Sequence, residues 1–484
     1  MSDQSYDVIV VGTGFAGSFF LHRLLERSGR PLRVLVLEAG AMRTHEDRMT
    51  REGDPALAGV RQHHDTFHRF VNRNPEKEWV FETAFGGGSN CWYACTPRLV
   101  PEDFELHTRY GVGADWPITY DDLEPRYCDA EDLMHIAGAE GGPFPRSRPY
   151  PHEPHTLTDP DRLLIAAFPG QVVPHPCART REAIPGQRGA CCNNGVCRLC
   201  PVDAKFTVLN AMAPLYQREG VELRLGATVE RVEHQNNIAT GVVYRQDGQE
   251  RSARADLVVL AANAMFNPHI MLRSGLDHPE LGRGLCEQVS RSVYIELDGV
   301  ENFQGSTIST ALGYMFYTGE RRRTRAAAML QTINTPDLLN VRGRWRQRLQ
   351  VNFVYEDFRM PNNRVVLHES DPAKPEAIFA DGKSPQTRAG IASTAEDMQT
   401  LLAALPSRGY TMGEPWATDS HIMGTTVMGR DPATSVVDAD CVHHQLRNLI
   451  LLGSGNFPTA APANPTLTIA ALALYAADRA VGRA

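Results

Sequence analysis

The sequence lacks the features that would place it in a membrane, on a nucleic acid or outside a packed core. It has no apolar run of the roughly 20 residues that a spanning helix needs. The longest, Thr466 to Ala477, is interrupted by threonine. The N-terminus, MSDQSYDVIVVG, carries no basic segment and no cleavage site ahead of its first apolar stretch, so no secretory signal is read and cytoplasmic residence is expected. Neither sign of charge dominates. Lys and Arg number 49 against 57 Asp and Glu, a formal charge of -8, which offers nothing for nucleic acid or an anionic membrane to bind. Cysteine is scarce, 10 in 484 residues, too few for a disulfide scaffold. With 42% hydrophobic residues, disorder and fibrous classes are excluded as well, and the length fits two to four structural units around a large core.

The first forty residues contain a recognisable unit. An apolar strand, Asp7–Val11, runs into Gly12-Thr13-Gly14-Phe15-Ala16-Gly17, then a helical stretch Ser18–Arg27 and a second strand Leu32–Leu37 that ends in Glu38-Ala39-Gly40. Strand, glycine turn, helix and strand make a right-handed βαβ unit of parallel sheet. The first glycine makes the tight turn, the second lets backbone approach a pyrophosphate and the third lets the helix pack closely. The helix N-terminus adds partial positive charge, and Glu38 is placed to accept from ribose hydroxyls. A dinucleotide-binding turn is the reading, and the turn alone does not separate FAD from NAD.

Asp256–Ala262 and Asn448–Leu452 read as further strands of the same buried sheet. Leu223–Arg245 reads as a β-hairpin layer beside it. The last helix, Leu467–Arg479, follows Pro465. Six prolines between Gly141 and Pro160 mark an extended excursion, a linker or a surface flap. Residues 290–415 alternate more and read as a separate, largely antiparallel substrate domain with interspersed helices.

Gly86-Gly87-Gly88-Ser89-Asn90-Cys91-Trp92-Tyr93-Ala94-Cys95-Thr96-Pro97-Arg98 is a second glycine run, whose backbone can approach a flat ring where side chains would clash. With Pro101-Glu102-Asp103-Phe104 and Asp115-Trp116-Pro117-Ile118-Thr119-Tyr120, it resembles the glucose-methanol-choline (GMC) flavoprotein oxidoreductases. Within them it is most similar to pyranose oxidases and related sugar dehydrogenases. His421-Ile422-Met423-Gly424-Thr425-Thr426, Ser435-Val436-Val437-Asp438, Gly453 to Thr459 and Ala463-Asn464-Pro465-Thr466-Leu467-Thr468 are similar, in order, to the family's closing signature. Residues 290–415 carry no such likeness.

The resemblance implies an α/β fold: a Rossmann-type FAD-binding domain of mostly parallel sheet, residues 1–289 and 416–484, and a smaller antiparallel substrate domain, residues 290–415. It implies FAD held by Gly12, Gly14, Phe15, Ala16, Gly17, Glu38, Ala39, Gly86, Gly87, Ser89, Asn90, Cys91, Trp92, Val229, Ala261, Ala262, Gly455, Asn456, Asn464 and Thr466. It also implies that His421 and Asn464 form the catalytic pair at flavin N5. The chemistry needs such a pair, because an alcohol releases hydride from carbon only as its hydroxyl proton leaves or is strongly shared. Histidine, with an unperturbed pKa of about 6.5, accepts that proton near neutrality. Asparagine can bind the same oxygen and aim the C–H bond. The expected reaction is oxidation of a secondary alcohol, on a sugar or glycoside, to a ketone. Electrons would pass to O2 or a redox partner, and a small partner subunit is compatible with the likeness. A non-redox FAD lyase and a binding module that takes prenylated partners are the rival readings.

Two positions depart from the family. Cys91 stands where some members attach flavin through histidine, and a non-covalent FAD beside a packed thiol is expected. Leu281–Ser290, where relatives often place a histidine near the flavin, reads LGRGLCEQVS and receives no role. Cysteine is concentrated in the loop 191–200, with Cys191, Cys192, Cys197 and Cys200. This is similar to the cluster-binding loop of GMC dehydrogenases that pass electrons through iron–sulfur to a cytochrome, with one residue fewer between the last two cysteines. An iron–sulfur cluster on Cys192, Cys197 and Cys200, a structural cysteine loop and zinc all remain open. Arg321–Arg325 and the alternating Arg342, Arg344, Arg346 and Arg348 form a basic region, read as a solvated face or as a dock for an acidic partner. His443 and His444 read as ordinary loop residues.

Overall fold

The computed structural model describes residues 5–53, 68–303, 305–334 and 347–481. Ser5–Val11 lies between Val34–Glu38 and Gln249–Leu260, parallel to both, with Val10 opposite Val36 and Val259. Val221–Leu225 extends this parallel sheet beyond Val34–Glu38, and Leu449–Leu451 joins on the other side of Gln249–Leu260. The central strands are apolar on both faces because helices cover the sheet. Helix Phe15–Arg27 and the alanine-rich helix Thr466–Ala480 pack against each other, and Val8, Val36, Val259, Leu467 and Leu474 are buried in a single core. Pro465 directly precedes the last helix, at a position whose backbone N–H would have no helical partner.

The region expected as a separate hairpin layer is divided differently. Val221–Leu225 belongs to the parallel sheet. The hairpin Thr228–Gln235 and Ile238–Gln246 is hydrogen-bonded to the first half of Gln249–Leu260. That strand has 12 residues, longer than the parallel sheet is deep, so its leading half projects and takes the hairpin as an antiparallel wing.

A second sheet has six antiparallel strands in the order Ser407–Pro415, Val289–Leu297, Arg348–Tyr355, Ala328–Ile333, Ser309–Phe316 and Val172–Pro174. The last comes from outside residues 290–415. Alternation gives its faces opposite character. Val293, Ile295, Val351 and Phe353 are buried against Met398 and Leu401 of helix Thr394–Leu402. Ser290, Ser292, Tyr294, Gln350 and Asn352 point the other way.

The proline-rich stretch is bound to the body of the protein. Ser147 donates to Glu124, and Arg146 forms a bidentate pair with Glu131 at 2.8 and 3.0 Å. Glu131 also takes both Nε and Nη2 of the fully buried Arg98, which makes the arginine of Thr96-Pro97-Arg98 a structural clamp. The Arg321–Arg325 cluster is internally neutralised. Arg321 pairs with Asp397, Arg325 with Glu396 and Arg323 with Glu320, and Arg322 is fully buried between Asp103 and Glu356. It offers no free basic face. Arg342, Arg344 and Arg346 lie outside the described residues, and Arg348 opens a strand beside Tyr294 and Glu296. Among the described residues no helix is long and apolar enough to cross a membrane.

Candidate active site

A cavity of about 840 Å³ lies between the glycine turn of the parallel sheet and the polar face of the antiparallel one. Its far end is built by the first strand and its turn. Gly12 has φ +98°, and a Cβ there would stand 2.6 Å from the Ala261 carbonyl oxygen. A Cβ on Gly17 would meet the Gly12 oxygen at 2.1 Å, so the third glycine lets the helix seat on the turn. The second glycine run folds against the first: Gly86 N–H donates to Thr13 Oγ1, and Gly87 faces Gly14 with 3.3 Å available for a Cβ. Bare backbone from both turns therefore borders the cavity. Glu38 stands at its edge, accepting from Thr13 N–H and Oγ1 and from Gly40 N–H, while burial pushes its carboxyl upward.

Most residues expected to touch a cofactor meet here. Gly12, Gly14, Phe15, Ala16, Glu38, Ala39, Gly87, Cys91, Trp92, Val229, Ala261, Ala262, Asn464 and Thr466 line the cavity, as does His421. Gly17, Gly86, Ser89, Asn90, Gly455 and Asn456 do not; they hold the wall from behind. Ser89 Oγ accepts from Val208 N–H, Asn90 Nδ2 donates to the Phe85 oxygen, and Asn456 Oδ1 accepts from Thr426. Gly453 and Ser454 line the wall in place of Gly455 and Asn456.

His421 is half-buried and held at two levels by consecutive residues of the stretch to which no role was attached. Cys286 and Met423 exchange backbone hydrogen bonds of 3.1 and 2.9 Å, which lays Glu287 and Gln288 beside His421. Fully buried Glu287 accepts from His421 N–H at 3.2 Å and Asp419 N–H at 3.1 Å, and it forms a buried ion pair with Lys77. Lys77 also donates to the Ala417 oxygen at 3.0 Å. Gln288 Oε1 lies 2.7 Å from His421 Nδ1. Burial lowers His421 to about 4, with Glu287 opposing, so the imidazole is neutral at physiological pH. Asp419, in the same wall, is pushed up to about 6 by burial and by the Glu287 charge. Ser420, just before His421, has φ +62°, backbone strain that the surrounding contacts hold in place. On the other side Asn464 Oδ1 accepts from Gln331 Nε2 at 2.9 Å, which leaves its own N–H groups for the cavity. Lys77, Glu287, Gln288 and Gln331 carry no signal in sequence, because each acts across more than 100 residues.

Cys91 borders the cavity with its thiol donating to the Gly88 oxygen at 3.5 Å, and burial pushes that thiol up to about 12. The thiols weighed as cluster ligands do not converge. Cys192 is exposed, Cys197 Sγ accepts from Ile308 N–H at 3.2 Å and Cys200 Sγ accepts from Ala204 N–H at 3.3 Å. Among the described residues no group of three or more His, Cys, Asp or Glu is placed to hold a metal ion. What the loop does hold is the second glycine run. Lys205, buried at its end, donates to the Arg198 oxygen at 2.6 Å and to the Asn90 and Trp92 oxygens at 3.1 and 2.9 Å. His443 Nδ1 accepts two backbone N–H bonds and His444 bonds Ser435, roles within their loop.

A dinucleotide turn opening on a cavity with a neutral histidine and an asparagine in its wall is the arrangement expected of a flavoprotein oxidoreductase. Family models described as GMC oxidoreductase match residues 176–290 and 360–473, and the chain belongs to that family. It is 26% identical to the fructose dehydrogenase large subunit of Gluconobacter japonicus, over 98% of this chain and 97% of that one. It is 27% identical to the 6'''-hydroxyparomomycin C oxidase of Streptomyces lividus, over 99% and 93%. Among solved structures it matches pyridoxine 4-oxidase from Mesorbium loti with a TM-score of 0.66 at 18% identity, over 98% of each chain. The protein is an FAD-dependent oxidoreductase acting on alcohol groups. The glycine cradles, Glu38 and the size of the cavity suit FAD.

Proposed function

We propose that this chain oxidises a secondary hydroxyl of a sugar or glycoside to a ketone, with His421 as the base. One observation carries the reading: His421 and Asn464 share one cavity, and the wall facing the glycine turns carries a cluster of hydrogen-bonding side chains among Ile308, Ile333, Val354 and Trp416. Ser292, Gln350 and Asn352 form a triangle of hydrogen bonds of 2.9 to 3.1 Å on that wall, beside Ser290, Tyr294 and Gln331. Such a surface is poorly paired by an apolar alcohol and well paired by a polyol, whose hydroxyls both donate and accept. The relative named for fructose and the oxidase named for hydroxyparomomycin support the same substrate class.

FAD would lie along Gly12 to Ala16, Glu38, Gly87, Gly88, Cys91, Trp92 and Ala261, and it supplies the hydride acceptor when bound. The chain does the rest. Asn464 donates to the substrate oxygen, neutral His421 takes the hydroxyl proton, and the polar wall fixes which hydroxyl reaches them. The Cys191–Cys200 loop supports the second glycine run through Lys205, and the electron acceptor is O2 or a redox partner. The relative that is a large subunit is the ground for a small partner subunit.

The test is anaerobic mixing of the holoenzyme with sugars, glycosides and simple alcohols, watching flavin bleaching. His421→Ala should keep its FAD and lose reduction by substrate. Reduction at a near wild-type rate in that variant overturns the assignment of the base. A wild type that binds polyols without bleaching points instead to a non-redox lyase or a binding module.

A further inference from the structure

The amide of Gln288 is fully buried, and both of its ends are committed. Its Nε2 donates to the Ala461 oxygen and, at 2.6 Å, to the Ala463 oxygen. Carbonyl oxygens only accept, so the nitrogen of the amide must be the end that faces them; a flipped amide would set oxygen against two oxygens in a fully buried position. The end facing His421 is therefore Oε1, which also only accepts. At 2.7 Å from Nδ1 it requires a proton on Nδ1. Burial keeps the imidazole neutral, so the ring carries one proton, and Nε2 is bare.

From this chain of hydrogen bonds we infer that Gln288 is the positioning residue that selects the Nδ1–H tautomer of His421 and so points a lone pair on Nε2 at the substrate hydroxyl. The inference rests on the proposed role of His421 as base, and it adds why that histidine is competent. A neutral histidine with the opposite tautomer would present N–H to the hydroxyl and could not take its proton. The same amide grips the carbonyls of Ala461 and Ala463, and Ala463 directly precedes Asn464. Gln288 thereby sets the base and the loop carrying its asparagine partner in one frame. Glu287, its neighbour, holds the backbone of His421 and has no hand in the tautomer.

Long-range 1H–15N NMR of the histidine-labelled holoenzyme tests this directly, the His421 signals being those absent from His421→Ala. Wild type should show a protonated Nδ1 and a bare Nε2. Gln288→Met, which keeps length and loses both hydrogen-bonding ends, should show mixed tautomers. It should also lower the limiting rate of flavin reduction about tenfold, with FAD content and substrate affinity kept. Its acid limb should move to lower pH, because the imidazolium loses an acceptor that stabilised it. A wild-type spectrum with Nε2 protonated overturns the inference, whether or not the variant folds. So does a Gln288→Met enzyme with unchanged rate and pH profile. An unchanged Gln288→Met beside an inactive His421→Ala leaves the base in place and removes only Gln288, whereas a protonated Nε2 in the wild type or an active His421→Ala removes the base itself.

Discussion

Lys77 and Glu287 offer the sharpest test of how the base is held. Lys77 is 5% exposed and Glu287 0%, so water cannot take over from either partner. Lys77→Met keeps the length of the side chain and its packing over Trp79, whose ring lies 4.0 Å from Nζ, and removes only the charge and its donors. Glu287 is then an unpaired buried carboxylate. Removing one partner of such a pair costs about 3–5 kcal/mol. The low end applies here, about 3 kcal/mol, because Asp419 N–H, His421 N–H and Thr418 Oγ1 still donate to Glu287. Lys77→Met/Glu287→Gln removes both charges and keeps an acceptor for those donors, so it should return to within about 1 kcal/mol of wild type. Guanidinium chloride unfolding of the FAD-saturated proteins, followed by far-UV circular dichroism, measures both. The limiting rate of flavin reduction should fall in the single variant and recover in the double, because Ala417 to His421 lies on this pair. A single variant within about 0.5 kcal/mol of wild type, or a double variant as unstable as the single, would refute the reasoning.

Other outcomes follow from the same geometry. Substrate-driven flavin reduction should stay level from neutrality down to near pH 4 and fall below it, since His421 must be neutral and its folded value is about 4. The folded state binds this proton less readily than the unfolded chain, at about 6.5, so His421 contributes stability that is lost as the pH falls through about 4, readable in the acid unfolding midpoint. Gly17→Ala places a methyl against the Gly12 oxygen and should cost about 1–3 kcal/mol, weakening FAD retention roughly 10- to 100-fold by equilibrium dialysis. FAD should be released intact by acid precipitation, because the protonated Cys91 thiol is no nucleophile; flavin that stays with the pellet would show a covalent bond. Cys192→Ser should leave the visible spectrum and flavin reduction unchanged, and stoichiometric iron that this change removes would restore a cluster to the loop.

The strand, glycine turn and helix at the N-terminus were legible because their causes are local: a turn with φ +98°, a close approach that excludes Cβ and an apolar run of strand length. His421 and Asn464 stand out in the sequence only through likeness to a family, since nothing in their neighbouring residues distinguishes a base from a satisfied loop histidine. Conversely, the glycines and polar residues of the motifs were assigned wholesale to the cofactor. Gly455, Asn456, Ser89 and Asn90 in fact brace the wall from behind, because a motif records what the backbone needs as well as what a ligand touches.

The sequence by itself determined the dinucleotide turn, the alternating strands and the motifs of the alcohol-oxidising site. The tertiary structure decided what those residues do. Val289–Leu297 alternates visibly, but which face meets the cavity depends on helix Thr394–Leu402 covering the other. Four cysteines in ten residues suggested a metal, and the fold gives Cys197 and Cys200 separate backbone N–H partners. The proton on His421 is set by Gln288, 133 residues away, because hydrogen-bond complementarity operates at 3 Å in space and leaves no trace in sequence spacing.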